Sequence, residues 1–141
     1  MYLLLIIIFM MKNITYKKNL LAIIIKGNYE KKSGLHFFTK KNLIQQVAYI
    51  NHPKNYEIQP HIHKTITRKI SGTSEVLIIL QGKMKINFFN NKKKFLKSCI
   101  VSKKDIVILI NGGHGFKMIN NCKFIEVKQG PYSKNQDKSK F

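Results

Sequence analysis

An all-β domain is what this sequence predicts, on three observations. Short runs rich in Ile, Val, Leu and Phe recur along the chain, clusters of Gly, Asn, Lys and Ser separate them, and no segment carries a 3.6-residue apolar period. Many short strands spaced by turn residues describe a sandwich or a barrel. The 141 residues fit one domain. A chain of about 150 residues hides roughly 68–70% of its unfolded surface, so a sizeable core is within reach.

The first eleven residues, MYLLLIIIFMM, form an apolar run about half as long as a bilayer span. No positive charge precedes the run and no small-residue cleavage site follows it, so a secretory signal is not expected. Met11-Lys12 reads as a natural start, which makes residues 1–11 an upstream extension. A buried first strand and a membrane anchor are the other readings. Strands are then expected over 20–26, 43–50, 56–63, 75–80, 83–89, 95–101, 105–110, 115–119 and 123–128, each about five to eight residues long. Gln81-Gly82 and Asn90-Asn91 read as hairpin turns, and Asn111-Gly112-Gly113 as another tight connection. The runs 76–80 and 106–110 are apolar at every position, so both of their faces should be buried. One face fills the barrel; the N-terminal fifty residues or a second subunit covers the other, and a homodimer is expected. Residues 12–50 thus supply extra N-terminal strands over the barrel, residues 51–130 form the barrel itself, and residues 131–141 form a polar tail that lies on the surface or frays.

The formal net charge is +20. A charge of that size suggests nucleic acid, anionic lipid or an anionic substrate. Yet all 26 basic residues but Arg68 are lysines, scattered along the chain with a densest run of Lys92-Lys93-Lys94. Nucleic-acid binders mix Arg with stacking aromatics in one patch. Abundant Lys, Ile and Asn instead look like a coding bias spread over the surface, so no nucleic-acid partner and no membrane are expected, and a small anionic ligand is. Arg68 offers a planar fork for a carboxylate or phosphate. Cys99 and Cys122 are far apart and make no CxxC pair, which reads as two free buried thiols in a reducing cytoplasm.

Four residues carry the chemistry. His61 and His63 flank Ile62, and side chains two apart on a strand share a face, so both imidazoles can converge on one point. Glu75 opens a strongly apolar strand, where an unpaired carboxylate would be costly to bury. It is one of only six acidic residues, which makes its position at a buried strand less incidental. His114 follows Gly112-Gly113, whose glycines permit a sharp turn. Three imidazoles and a carboxylate suit one divalent ion of Zn, Fe, Mn or Ni. His52 sits just upstream and could reach the rim of the pocket, and Glu126 faces either the barrel or the solvent.

These residues resemble the two motifs of the cupin superfamily. The first is a His-x-His, then a Glu, six residues and a Gly; here it runs His61-Ile62-His63, Glu75, then Gly82. The second runs from a Gly-Asp strand start through Pro and Gly to a His; here it spans Asp105 to His114. The chain is also similar to small bacterial cupin-fold metalloproteins that carry a Glu-Val-Lys-Gln-Gly-Pro-Tyr stretch, here Glu126 to Tyr132. The resemblance implies a double-stranded β-helix (jelly-roll) barrel with one metal on His61, His63, Glu75 and His114. Several positions depart from the pattern. Eleven residues separate His63 from Glu75, Lys104 stands where the family has Gly, the Pro is missing, and Met118 stands where Asn is common.

The expected function is therefore metal-dependent enzymology on a small oxygen-rich, sugar-like or carboxylate metabolite. Arg68 or a Lys would hold its charge, with His52 and Glu126 as further substrate contacts. Isomerase, epimerase and dioxygenase chemistry all fit such a site. The alternative is a non-catalytic, metal-dependent binding or sensor domain.

Overall fold

The computed structural model describes residues 10–133 and 137–141. The chain divides into two units, one of Met1–Tyr29 with Thr73–Phe141 and one of Glu30–Gly72. Every element in the described residues is a strand. Among the described residues no helix is long and apolar enough to cross a membrane.

In the first unit, β1 (Met11–Tyr16), β2 (Asn19–Ile25), β5 (Glu75–Gln81), β8 (Ile106–Leu109) and β10 (Lys123–Lys128) form one antiparallel sheet in the order β1-β2-β8-β5-β10. A second sheet, β7-β6-β9, joins β6 (Lys83–Phe89), β7 (Phe95–Ser102) and β9 (Gly113–Met118). The all-β expectation holds, but the described sheets are open rather than closed into a barrel, because β1, β10, β7 and β9 each have one partner strand only. Ala22, Ile24, Leu77, Ile79, Val107 and Leu109 from the five-stranded sheet meet Met84, Ile86, Phe88 and Val101 from the three-stranded one in a single core. Each such side chain contributes about 1.5–3 kcal/mol by leaving water.

Polarity along the strands explains which face turns inward. In β6, Met84, Ile86 and Phe88 are buried while Lys83 and Lys85 are exposed, so one face meets the core and the other meets water. The central strands differ. Ile23, Val76 and Ile108 point away from that core, yet each is 6% exposed or less. Burial of both faces, expected over 76–80 and 106–110, holds at Val76 and Ile108; Ile78, Ile106 and Ile110 are half-buried and Leu80 is 47% exposed.

Four short connections change sheets rather than make hairpins, and Gly82 and Asp105 close two of these corners. Gln81-Gly82 links β5 to β6, which belong to different sheets, so it is a corner and not the expected hairpin. Gly82 has φ of 81°, and a Cβ there would lie 2.1 Å from the Asn121 carbonyl oxygen. Gly82→Ala is expected to destabilise the protein by about 2 kcal/mol, from the left-handed conformation and the backbone clash together. A lower thermal midpoint with an unchanged circular-dichroism spectrum would report it. Asn90-Asn91 is a true hairpin, with Asn90 Oδ1 accepting from the Lys92 and Lys94 amides at 3.0 Å each.

Asp105 fastens the other corner. Its carboxylate is 2% exposed and accepts from Gly27 N at 2.9 Å, from Ser102 N at 3.0 Å, and from the Lys26 ammonium. Lys104, just before it, has φ of 73°.

The second unit holds one hairpin, β3 (Gly34–Phe37) with β4 (Ala48–Asn51). Thr39 Oγ1 accepts from Val47 N at 2.9 Å, and Gln46 Nε2 donates to the Lys40 and Leu43 carbonyls. The strand expected over 43–50 shrinks to β4. The one expected over 56–63 is absent, since residues 52–74 form no ladder. Ile62 is 93% exposed, so the stretch buries no apolar face that would fix a register. β1 and β3 were not expected from the sequence. Residues 1–9 of the apolar extension lie outside the described residues; β1 begins at Met11, and the Met10 carbonyl accepts from Lys26 N at 2.8 Å.

Candidate functional site

Glu75 and His114 meet at one end of the core, each from a different sheet. Glu75 is the first residue of β5 and lies in register with Leu109 on one side and Lys128 on the other. The entry to β5 is held by Ser74, whose Oγ donates to the Leu109 carbonyl at 2.7 Å and whose N–H donates to Gln129 Oε1 at 2.9 Å. His114 is the second residue of β9, opposite Phe88, and its ring stacks on Phe116 at 5.3 Å. The Gly112-Gly113 turn sets it there. Gly112 has φ of 77°, and a Cβ on it would sit 2.6 Å from the Phe89 carbonyl.

His114 Nε2 lies 3.1 Å from Glu75 Oε2. The distance is that of an ion pair, but the ring N–H is not well aimed, and Oε2 is a buried oxygen without a hydrogen bond of good geometry. Glu75 is 5% exposed. The His114 imidazole, helped by Lys138 and Lys128, holds the Glu75 carboxyl below its usual range, while burial pushes the other way. Lys138 Nζ stands 4.0 Å from Oε1.

The pair opens on a cavity of about 580 Å³ within the first unit. Its walls carry Asn87, Phe89, Asn111, Phe116 and Lys128, together with Asp137, Lys138, Ser139, Lys140 and Phe141 from the tail. The tail, expected to lie on the surface or fray, is exposed over residues 137–141. There Asp137 Oδ2 pairs with Lys128 Nζ at 3.1 Å and the Phe141 ring meets Phe89 edge-on at 5.1 Å. The Ser133 amide, then Lys128, holds the Asp137 carboxyl low; Asp137 in turn pushes the Lys128 ammonium up.

The other expected ligands, His61 and His63, belong to the second unit and are exposed. They are not on a strand, yet their rings stay close, 5.1 Å between centroids and nearly perpendicular. His61 Nδ1–H donates to the Gln59 carbonyl at 2.9 Å, which leaves Nε2 as the free nitrogen. Among the described residues no group of three or more His, Cys, Asp or Glu side chains is placed to hold one ion. Glu75 and His114 supply two donors, fewer than the three protein ligands of catalytic zinc sites, so this pair alone does not make a metal centre.

His52, in the second unit, stacks on Tyr56 with centroids 3.8 Å apart. Arg68 is exposed in the same unit. Glu126 is paired with Leu77, so it shares the sheet face of Glu75, at an exposed edge position. Cys99 and Cys122 are free and half-buried, and burial pushes the Cys99 thiol up. Lys128, Lys138 and Phe141 are the site residues that motif reading missed. No family model, curated protein or solved structure matches the chain.

Proposed function

We propose that the first unit binds a small, oxygen-rich anion in the 580 Å³ cavity, with Glu75 and His114 as the reactive pair at its floor. One observation carries the reading: a buried carboxylate oxygen without a hydrogen bond, beside a histidine, opening on a cavity walled by lysines. A carboxylate beside an imidazole orients the ring, and the imidazole can exchange a proton with a ligand hydroxyl or carbonyl. Proton transfer on a sugar-like or hydroxycarboxylate compound, as in isomerases and epimerases, is the class of reaction this supports. Lys128 and Lys138 meet the negative charge of the ligand. Two antiparallel sheets facing one core also support the jelly-roll reading of the cupin resemblance.

A thermal-shift panel of sugar phosphates and hydroxycarboxylates tests this. A true ligand at about a hundred times its Kd adds about 2.7 kcal/mol, or roughly 5–10 °C for a chain of this size. His114→Ala should abolish the shift. A panel without any shift, or a shift that survives His114→Ala, removes the reading.

The same unbonded Glu75 oxygen also favours a metal-dependent version, because a divalent cation would satisfy it. Elemental analysis separates the two. About one metal per chain, lost in a His61→Ala, His63→Ala double variant, establishes the metal version; no metal in the wild type leaves the metal-free pair, and equal metal in both proteins removes His61 and His63 as ligands.

A further inference from the structure

The tail carries a chemical pattern that matches what the cavity is proposed to bind. Asp137 sets a carboxylate on Lys128, with Oδ2 3.1 Å from Nζ and 3.1 Å from the Ser133 amide. Lys138 reaches within 4.0 Å of Glu75. Phe141 lays its ring against Phe89, and a Cβ on Gly113 would come within 3.1 Å of that ring. An anionic group, a hydrogen-bond donor near Glu75 and a ring on the aromatic wall are thus all present in one short segment.

We propose that residues Asp137–Phe141 are an internal stand-in for the ligand, a strap that an incoming carboxylate, phosphate or sulfonate bearing a ring must displace. This inference rests on the proposed binding reading of the same cavity. Its logic is charge balance at one lysine. Lys128 lies in register with Glu75 on the neighbouring strand, so it is fixed beside the reactive pair by the sheet itself. Among the described residues Asp137 is the only acidic residue in the cavity wall besides Glu75. With Asp137 withdrawn, Lys128 presents an unpaired ammonium to whatever enters.

The strap is held weakly enough to yield. Phe141 remains 61% exposed despite its contact with Phe89. The Lys128–Asp137 hydrogen bond lies at an exposed position, and such pairs contribute little to stability. A ligand meets the cavity only in the fraction of molecules whose strap is open, so its apparent Kd is raised by the inverse of that fraction.

The probe is 8-anilinonaphthalene-1-sulfonate, which joins a sulfonate to aromatic rings and reports binding by fluorescence. It is titrated into the full chain, into Asp137→Asn, and into Asp137→Asn with Phe141→Ala. With the strap closed about nine-tenths of the time, the double variant should bind roughly tenfold more tightly than the wild type, and Asp137→Asn should fall between. Adding Lys128→Met to the double variant should reverse the gain. Equal affinity in all tail variants, no binding in any, or a gain that survives Lys128→Met each overturns the strap. Thermal shifts that still depend on His114 would leave the cavity reading standing when the strap fails. Because the altered tail side chains are exposed or partly so, the variants should melt close to the wild type, and a melting scan checks it.

Discussion

Asp105→Ala is expected to lower the unfolding free energy by about 3–5 kcal/mol. In urea, with m of about 1–3 kcal/mol per molar, the midpoint should fall by roughly 2 M. The carboxylate is 2% exposed and serves three donors at once: Lys26 and Gly27 just past β2, and Ser102 at the end of β7. Its own backbone extends the tie, since the Asp105 carbonyl accepts from Ile79 N of β5 at 3.0 Å. Alanine leaves the Gly27 and Ser102 amides without their acceptor and removes the charge that the Lys26 ammonium faces, and an unmet buried donor costs about 1–3 kcal/mol. Asp105→Asn keeps one carbonyl oxygen and should lose about half as much. Total stabilities of small domains are about 5–15 kcal/mol, so the alanine variant sits near the threshold of folding at all. A midpoint within experimental error of the wild type would show that the three donors find other acceptors.

Glu75→Gln should weaken ligand binding by roughly 10–100-fold while the fold persists. The amide keeps the shape of the side chain and removes the charge that His114 faces at 3.1 Å. Hydrogen bonds to charged groups contribute about 1.5–3 kcal/mol, and each 1.4 kcal/mol is tenfold. Calorimetric titration of the ligand found by the thermal-shift panel measures the loss; unchanged affinity would place the reactive pair elsewhere. The acid limb of stability should change too. His114 holds the Glu75 carboxyl below its usual range, so its contribution is present above the ordinary carboxyl pKa of about 4.3 and is lost as pH falls through the lowered value. Urea midpoints of the wild type should therefore drop more steeply below about pH 4 than those of Glu75→Gln.

Much of the sheet was legible in the residues. Lys83–Phe89 and Lys123–Lys128 were placed to the residue, because apolar composition and flanking turn signals bound them on both sides. Strands β1 and β3 were not. Met11–Tyr16 places Lys12 and Asn13 in water and buries only Ile14, and Gly34–Phe37 buries nothing fully, so neither shows an apolar signature. The stretch 56–63 misled in the opposite sense, as Tyr56, Ile58 and Ile62 look like strand residues but are all exposed. Glu75 and His114 were readable because each follows from a local signal, an acid leading an apolar run and a histidine after two glycines. Lys128 and Phe141 were not readable as site residues. What puts Lys128 there is its pairing across the sheet to Glu75, and what puts Phe141 there is its contact with Phe89; no local pattern encodes either. Lys104 is instructive in another way. Its backbone takes the left-handed conformation, φ 73°, at a position that no glycine marks in the sequence.

The order of strands in the larger sheet bears on how the chain is made. Ile23 of β2 waits for Ile108 of β8, and among the described residues the β1–β2 hairpin has no other neighbour in its sheet. At about 5–20 residues per second, the ribosome delivers β8 on the order of ten seconds after β2. During that interval an aliphatic ribbon, Leu20 to Ile25, emerges without its mate. Newborn copies are therefore most vulnerable to mispairing before synthesis ends, and a holdase that shields this ribbon would act at that stage.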